Sequence, residues 1–259
     1  MWIKYKMHEL DPKAIDVTMK RFKGQKVLLY ELIDCNRYII VDFFKECENE
    51  LDVINKVIKE IKYPLTSDKK PTDFHYFQAF KKWWWTCHKS FRNNYDYWQF
   101  ASETAWLRMG DCEDSSILTG AGLEWFAKDY FIALGRVLRY GRLLGYHAWV
   151  IVNMYGAWRL VETTLDTPYS SPLEIPPIDI EKNKWQVGKL TYEALILFNR
   201  RELWVWSMKK SNSEKPEDVV RKALVDYMKR SHKEKESKIK YHEMHKSYME
   251  LLGKGIKVK

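Results

Sequence analysis

Tyr146-His147-Ala148-Trp149-Val150-Ile151-Val152-Asn153 runs into Met154-Tyr155-Gly156-Ala157 and then into Trp158-Arg159-Leu160-Val161-Glu162-Thr163-Thr164. The outer stretches have the composition of strands, and Tyr155-Gly156 reads as a tight hairpin turn. A two-residue turn sets the register: Met154 faces Ala157, and His147 falls opposite Thr164. Glu162 and Asp166 are then the two diagonal neighbours of His147, with Cβ atoms about 7–8 Å away. Alternation puts His147, Trp149 and Ile151 on one face, and Trp158, Leu160 and Glu162 on one face of the next strand. A glutamate reaches further than an aspartate, which favours Glu162 as the group that orients the imidazole. Spacing leaves Asp166 open as the alternative acid.

Upstream, Met109-Gly110-Asp111-Cys112-Glu113-Asp114 breaks the chain and starts a helix expected to run to about Asp129, with Leu118, Ala121, Leu123, Trp125 and Phe126 on its apolar face. The unpaired N–H groups at a helix start favour a thiolate at Cys112, which is the reactive form. Glu113 and Asp114 act the other way, because nearby carboxylates raise a thiol pKa. Activation therefore needs a positioned base, and His147 is the candidate.

The remaining chain reads as helices first and strands later. Residues 12–62 read mainly as helices, with Leu51, Ile54, Val57, Ile58 and Ile61 on one stripe. A second helix is expected over about Asp73 to Phe91, and it carries Trp83-Trp84-Trp85, which cannot all face one side. Asn93-Asn94-Tyr95-Asp96 reads as a turn and Ser102 to Met109 as a short helix. The period changes towards two between about Val137 and Thr164. Strands are expected again at Ala194–Phe198 and Leu203–Ser207, after an irregular connection marked by Pro168, Pro172, Pro176 and Pro177. Lys215-Pro216 opens a long charged helix, with proline at the first helical position. Helices, then strands, then a helix is an α+β order with an antiparallel sheet. The expected organisation is a helical N-terminal part (1–72), a core (73–210) and a basic C-terminal helix (211–259).

Composition bounds the rest. The chain has 259 residues, 46% of them apolar, 15% aromatic and 31% charged, with 12 Trp and 16 Tyr. That is globular composition with many large core anchors. No stretch approaches the ~20 apolar residues that cross a bilayer. The start, Met1-Trp2-Ile3-Lys4-Tyr5-Lys6, lacks a secretory signal pattern, so a soluble cytoplasmic protein without membrane contact is expected. Of the net charge of +9, +7 lies from Lys209 to Lys259, where 15 Lys and Arg meet 8 Asp and Glu. Nucleic-acid binding therefore concerns the tail alone, and the interleaved Lys and Glu there read as a solvated helix. Its stripe Tyr241, Met244, Tyr248 and Leu251 suits docking on the body or on a partner helix. Cys35, Cys47 and Cys87 read as small buried hydrophobes. Cys87-His88 and the pair His242/His245 fit no catalytic or metal-binding pattern.

Together, Gly110-Asp111-Cys112-Glu113-Asp114, His147-Ala148-Trp149-Val150 and Trp158-x-x-x-Glu162-x-Thr164 resemble the transglutaminase-like superfamily of cysteine enzymes. Asp96-Tyr97-Trp98-Gln99 with Glu103-Thr104 is similar to what precedes the cysteine in microbial members. The resemblance spans roughly residues 93–166, and Glu162 stands where the family has Asp. It implies a papain-like core, with the cysteine helix packed on an antiparallel sheet that holds the histidine and the acid. It implies a Cys112–His147–Glu162 triad acting on a peptide or protein amide by thiol acyl transfer, with no metal or organic cofactor. The Cys112 N–H would be one oxyanion donor, and Trp98, Gln99 or a residue of 83–85 the second. The alternative reading is a catalytically idle copy of the fold serving as a protein-interaction module.

Overall fold

The computed structural model describes residues 1–19, 25–63, 98–127, 129–207 and 215–234. The expected helix over 73–91 with Trp83–Trp85 and Cys87-His88, the turn at 93–96, and the tail features at 241–251 lie outside the described residues.

The expected hairpin is present. Strand β5 (Arg142–Met154) pairs antiparallel with β6 (Ala157–Val161) in the register that puts Met154 opposite Ala157 and Val150 opposite Val161. Tyr155 and Gly156 both take positive φ, 53° and 76°, as a type I′ turn requires at its two central residues. On its other side β5 pairs with β4 (Tyr130–Arg139) through a second Tyr-Gly turn, with Tyr140 at φ 51° and Gly141 at φ 77°. Strand β4 begins seven residues before the expected change of period at Val137. Tyr130-Phe131-Ile132-Ala133-Leu134 is buried throughout, and a strand covered on both faces shows no alternation to read.

The sheet continues from β4 to β8 (Leu190–Phe198), then to β9 (Glu202–Trp206) and β1 (Trp2–Lys6), every pair antiparallel. The short β7 (Lys184–Val187) pairs with the half of β8 that β9 leaves unpaired. Strand β1 corrects the expectation of a helical N-terminal part. The first residues complete the main sheet, and a small hairpin of β2 (Asp16–Met19) and β3 (Gln25–Leu28) follows before any α-helix. Trp2-Ile3-Lys4-Tyr5-Lys6 carries a strand pattern too short to stand out without its partner. Trp2 supplies the anchor: its indole N–H donates to the Ile180 carbonyl at 2.8 Å, and its ring meets Trp206 edge-on at 5.2 Å.

Helices α1 (Tyr38–Phe44) and α2 (Glu50–Glu60) lie over one side. Asn49 caps α2 by accepting from the Asp52 N–H at 3.0 Å, and Val53, Ile54, Val57 and Ile58 are its buried stripe. Helix α3 (Ala101–Leu107) leads to Gly110, and α4 (Cys112–Phe126) runs between α1/α2 and strands β4 and β5. Being packed from both sides, α4 is buried all round from Cys112 to Leu123 instead of along one face. Its small residues allow this. A Cβ on Gly122 would stand 2.7 Å from Val53 Cγ1 and 2.8 Å from Phe44 Cζ. Trp125, expected on the apolar face, is at the surface.

Helix α5 (Pro216–Glu234) starts at the expected proline and buries Val220, Leu224 and Tyr227 against β5, β8 and β9. The fold is α+β with an antiparallel sheet. Among the described residues no helix is long and apolar enough to cross a membrane.

Candidate active site

The site begins at Gly110. A side chain there would put its Cβ 2.6 Å from Asp114 Cβ and 3.0 Å from Thr104 Cγ2, so only glycine lets α3 end and α4 begin this closely. The helix start is then held by Asp114. Its carboxylate accepts from the Gln99 N–H at 2.8 Å, from Gln99 Nε2 at 3.0 Å and from the Asp111 N–H at 3.2 Å. Burial and the neighbouring Asp111 push Asp114 well above the usual carboxylate range. Asp114 is thus a cap that ties the segment before α3 to the first turn of α4.

Cys112 is the first residue of α4, a helix that packs on β5, the strand that carries His147. The residue is 4% exposed. Its Sγ–H donates to Glu113 Oε2 at 2.8 Å, and Glu113 Oε1 accepts from the Tyr227 hydroxyl of α5 at 3.0 Å.

His147 is buried and bonded through Nε2 to Glu162 Oε2 at 2.8 Å. Glu162 lies just past β6, where the hairpin register placed it as a diagonal neighbour. Its second oxygen accepts from the Thr164 N–H at 3.1 Å and the Thr164 hydroxyl at 2.7 Å, and the Tyr192 hydroxyl donates to Oε2 at 3.1 Å. The Tyr169 hydroxyl holds the backbone of the same residue, accepting from its N–H and donating to its C=O. Burial raises the Glu162 pKa, but the charge of a protonated His147 and the hydrogen bonds from His147 and Thr164 outweigh it, and the net shift is downward. Glu162 is a carboxylate built to stay ionised.

Packing fixes the imidazole plane. His147 stacks along its own strand on Trp149 at 6.2 Å and tilts against Tyr192 at 6.5 Å. Ser116 of α4 and Thr163 share a hydroxyl–hydroxyl hydrogen bond of 3.2 Å, which ties the cysteine helix to the segment bearing Glu162.

The chain matches no protein family and no curated protein. What the site can do therefore rests on its own geometry.

Of the two acids the sequence left open, Glu162 meets His147, and Asp166 is exposed. Gln99 is fully buried beside the start of α4, and Trp98 is buried edge-on to Tyr227 at 6.3 Å. Of the other cysteines, Cys35 is buried, with a guanidinium N–H of Arg200 3.1 Å from its sulfur; Cys47 is half-buried rather than fully so. Burial raises both thiols, Cys47 to about 11. Asp111, Cys112 and Glu113 bring three donor atoms within 4.8 Å of one another, the single such group among the described residues. Both Glu113 oxygens there already accept protein hydrogen bonds.

Sequence reasoning missed Tyr192 and Tyr227. Each is one tyrosine delivered by a distant element, and neither spacing nor pattern marks it. Thr164 was legible, as part of Trp158-x-x-x-Glu162-x-Thr164.

Proposed function

We propose that the chain is a cysteine-dependent acyl-transfer enzyme with a transglutaminase-like, papain-like core, a peptidase or amidase acting on a peptide or protein amide. The observation that carries this reading is the buried hydrogen bond between His147 Nε2 and Glu162 Oε2. An ionised carboxylate on one ring nitrogen fixes the tautomer and stabilises the imidazolium, which a merely structural histidine does not require. Support also comes from Cys112 at the start of a helix that packs on the histidine strand.

In this mechanism His147 Nδ1, the nitrogen not engaged by Glu162, takes the thiol proton as Cys112 attacks the amide carbonyl. The tetrahedral oxyanion is held by the Cys112 N–H at the helix start and by a second donor, for which Gln99 and Trp98 are the candidates. His147 then gives the proton to the leaving amine, and water or another amine resolves the thioester.

A second reading is an idle copy of the fold that binds a protein partner, and the burial of Cys112 favours it. The pH profile of alkylation of each cysteine, followed by peptide mass spectrometry, separates the two. An enzyme gives Cys112 a midpoint below neutrality that moves up towards the ordinary thiol value of ~8.5 in His147→Ala. A Cys112 midpoint already near ~8.5, and unmoved by the substitution, would establish the idle fold.

A further inference from the structure

We propose that Glu113 and Tyr227 are positioning residues that hold the proton on Cys112, so that the C-terminal helix α5 governs when the thiol reacts. The inference rests on the reading of Cys112 as nucleophile and adds a control to it.

Three observations converge. The Cys112 thiol donates to Glu113 Oε2 at 2.8 Å, an arrangement that needs the sulfur protonated and puts a carboxylate where a thiolate would be repelled. The other oxygen of Glu113 is held at 3.0 Å by the Tyr227 hydroxyl, 114 residues away on α5. And Tyr227 is no passing contact: it is fully buried, edge-on to Trp98 at 6.3 Å and to Tyr146, the neighbour of His147, at 5.8 Å. One turn-spaced stripe of α5, made of Val220, Leu224 and Tyr227, is therefore buried against the body, and its Tyr227 holds the carboxylate that accepts the thiol proton.

Glu113 is a poor catalytic base in this position. It follows the nucleophile in sequence and is itself tied to a phenol, whereas His147 has its own carboxylate behind it. Its effect is restraint. When α5 lifts, Tyr227 leaves with it, Glu113 gains room and water, and the proton passes from Sγ to His147 Nδ1. That step yields a thiolate and an imidazolium, with no other bond made or broken.

The sign of the effect sets this apart from a structural role. Removing an acid beside a nucleophile makes it more reactive here. The experiment uses the full chain and measures alkylation of Cys112 by iodoacetamide at fixed pH near neutrality, with buried Cys35 as the internal reference. Glu113→Gln keeps the shape and the acceptor for Tyr227 but removes the charge, and Cys112 alkylation rises about tenfold, the equivalent of one pKa unit. Tyr227→Phe keeps the ring and removes only a hydrogen bond to a charged group, so the helix opens roughly ten- to a hundredfold more often and Cys112 speeds up accordingly. Leu224→Ala loosens α5 without touching Glu113 and also accelerates Cys112. In all three variants Cys35 keeps its parent rate.

The proposal is overturned if Glu113→Gln slows Cys112 or leaves it unchanged, or if Cys35 rises in step with Cys112, since that reports global loosening. Repeating the series in a His147→Ala background separates it from the catalytic reading. Accelerations that persist while His147→Ala has no effect on the Cys112 pH midpoint uphold the restraint and sink the dyad. A midpoint that depends on His147 without any acceleration does the reverse.

Discussion

Gly135 lies directly across the β4–β5 ladder from His147, and a Cβ on it would fall 2.2 Å from the Glu193 carbonyl oxygen and 2.8 Å from Trp149 Cη2. The catalytic candidate is thus backed by a position with no room for any side chain, where β8 comes close at the irregularity in the β4–β8 register. The obstacle is backbone, which cannot swing aside, together with the ring on which His147 stacks. Gly135→Ala is expected to destabilise the protein by about 3 kcal/mol, as overpacked core positions do. Gly145→Ala is the control. Its Cβ meets nothing within 4 Å and its φ is not positive, so it is neutral or raises stability by about 0.5 kcal/mol through the unfolded chain. Urea midpoints of the two variants check this, and equal midpoints would remove Gly135 from the argument.

Glu162 ties stability to pH. Its folded pKa is lowered, so its contribution is in place above the ordinary carboxylate value of ~4.3 and is lost as pH falls through the lower folded value. Glu162→Gln removes the charge and turns an amide donor towards His147 and Tyr192 or Thr164. At pH 7 it is expected to cost about 3 kcal/mol, in line with hydrogen bonds to a buried charge. The gap between parent and variant narrows as pH drops below ~4.3. Chemical denaturation at pH 7, 5 and 3.5 measures it (assay conditions, read against the ordinary Glu value); a gap of constant size would mean that Glu162 is not held as an anion.

How far the sequence carried these conclusions depends on where each constraint lies. The β5–β6 register was legible because a two-residue turn is local and counts residues for itself, and it placed Glu162 within reach of His147. The start of α5 at Pro216 was legible for the same reason. Strand β1 was not, because Trp2–Lys6 is a strand only by virtue of β9, some two hundred residues on. The full burial of α4 was hidden as well: a helix packed on two sides has no polar face to announce its orientation. The tyrosines at 192 and 227 reach the site across the fold, and a lone tyrosine carries no signature of its destination.

Two hairpins share one turn chemistry, and only one of its two residues suits it. Tyr140 and Tyr155 sit at φ 51° and 53°, where a side chain with a Cβ is strained, and both rings are exposed. Asparagine tolerates the left-handed region and is preferred ahead of glycine in such turns. Tyr140→Asn and Tyr155→Asn are each expected to add about 0.5–1 kcal/mol, and the pair to be additive at opposite ends of β5. Gly156→Ala goes the other way, losing about 1 kcal/mol at φ 76°. Thermal denaturation of the four variants tests the assignment; a Tyr155→Asn that melts earlier than the parent would show that the exposed ring outweighs the strain.

Tyr192 offers the cleanest separation of packing from electrostatics around the histidine. Its ring meets Trp149 edge-on at 5.1 Å and tilts over His147, while its hydroxyl donates to Glu162 Oε2 at 3.1 Å. Tyr192→Phe preserves every ring contact and removes one donor from a buried carboxylate. Were packing all that mattered, the variant would match the parent in stability and in its acid transition. With the hydroxyl stabilising the anion, losing it raises the Glu162 pKa towards its unfolded value, because hydrogen bonds to the charged form are what lower it. The stability linked to Glu162 then shrinks by about 1.5–3 kcal/mol at neutral pH, and the fall in acid begins at higher pH than in the parent. Urea denaturation of parent and variant across the acid range checks this, and an unchanged stability with an unmoved acid transition would leave Tyr192 a ring-only role.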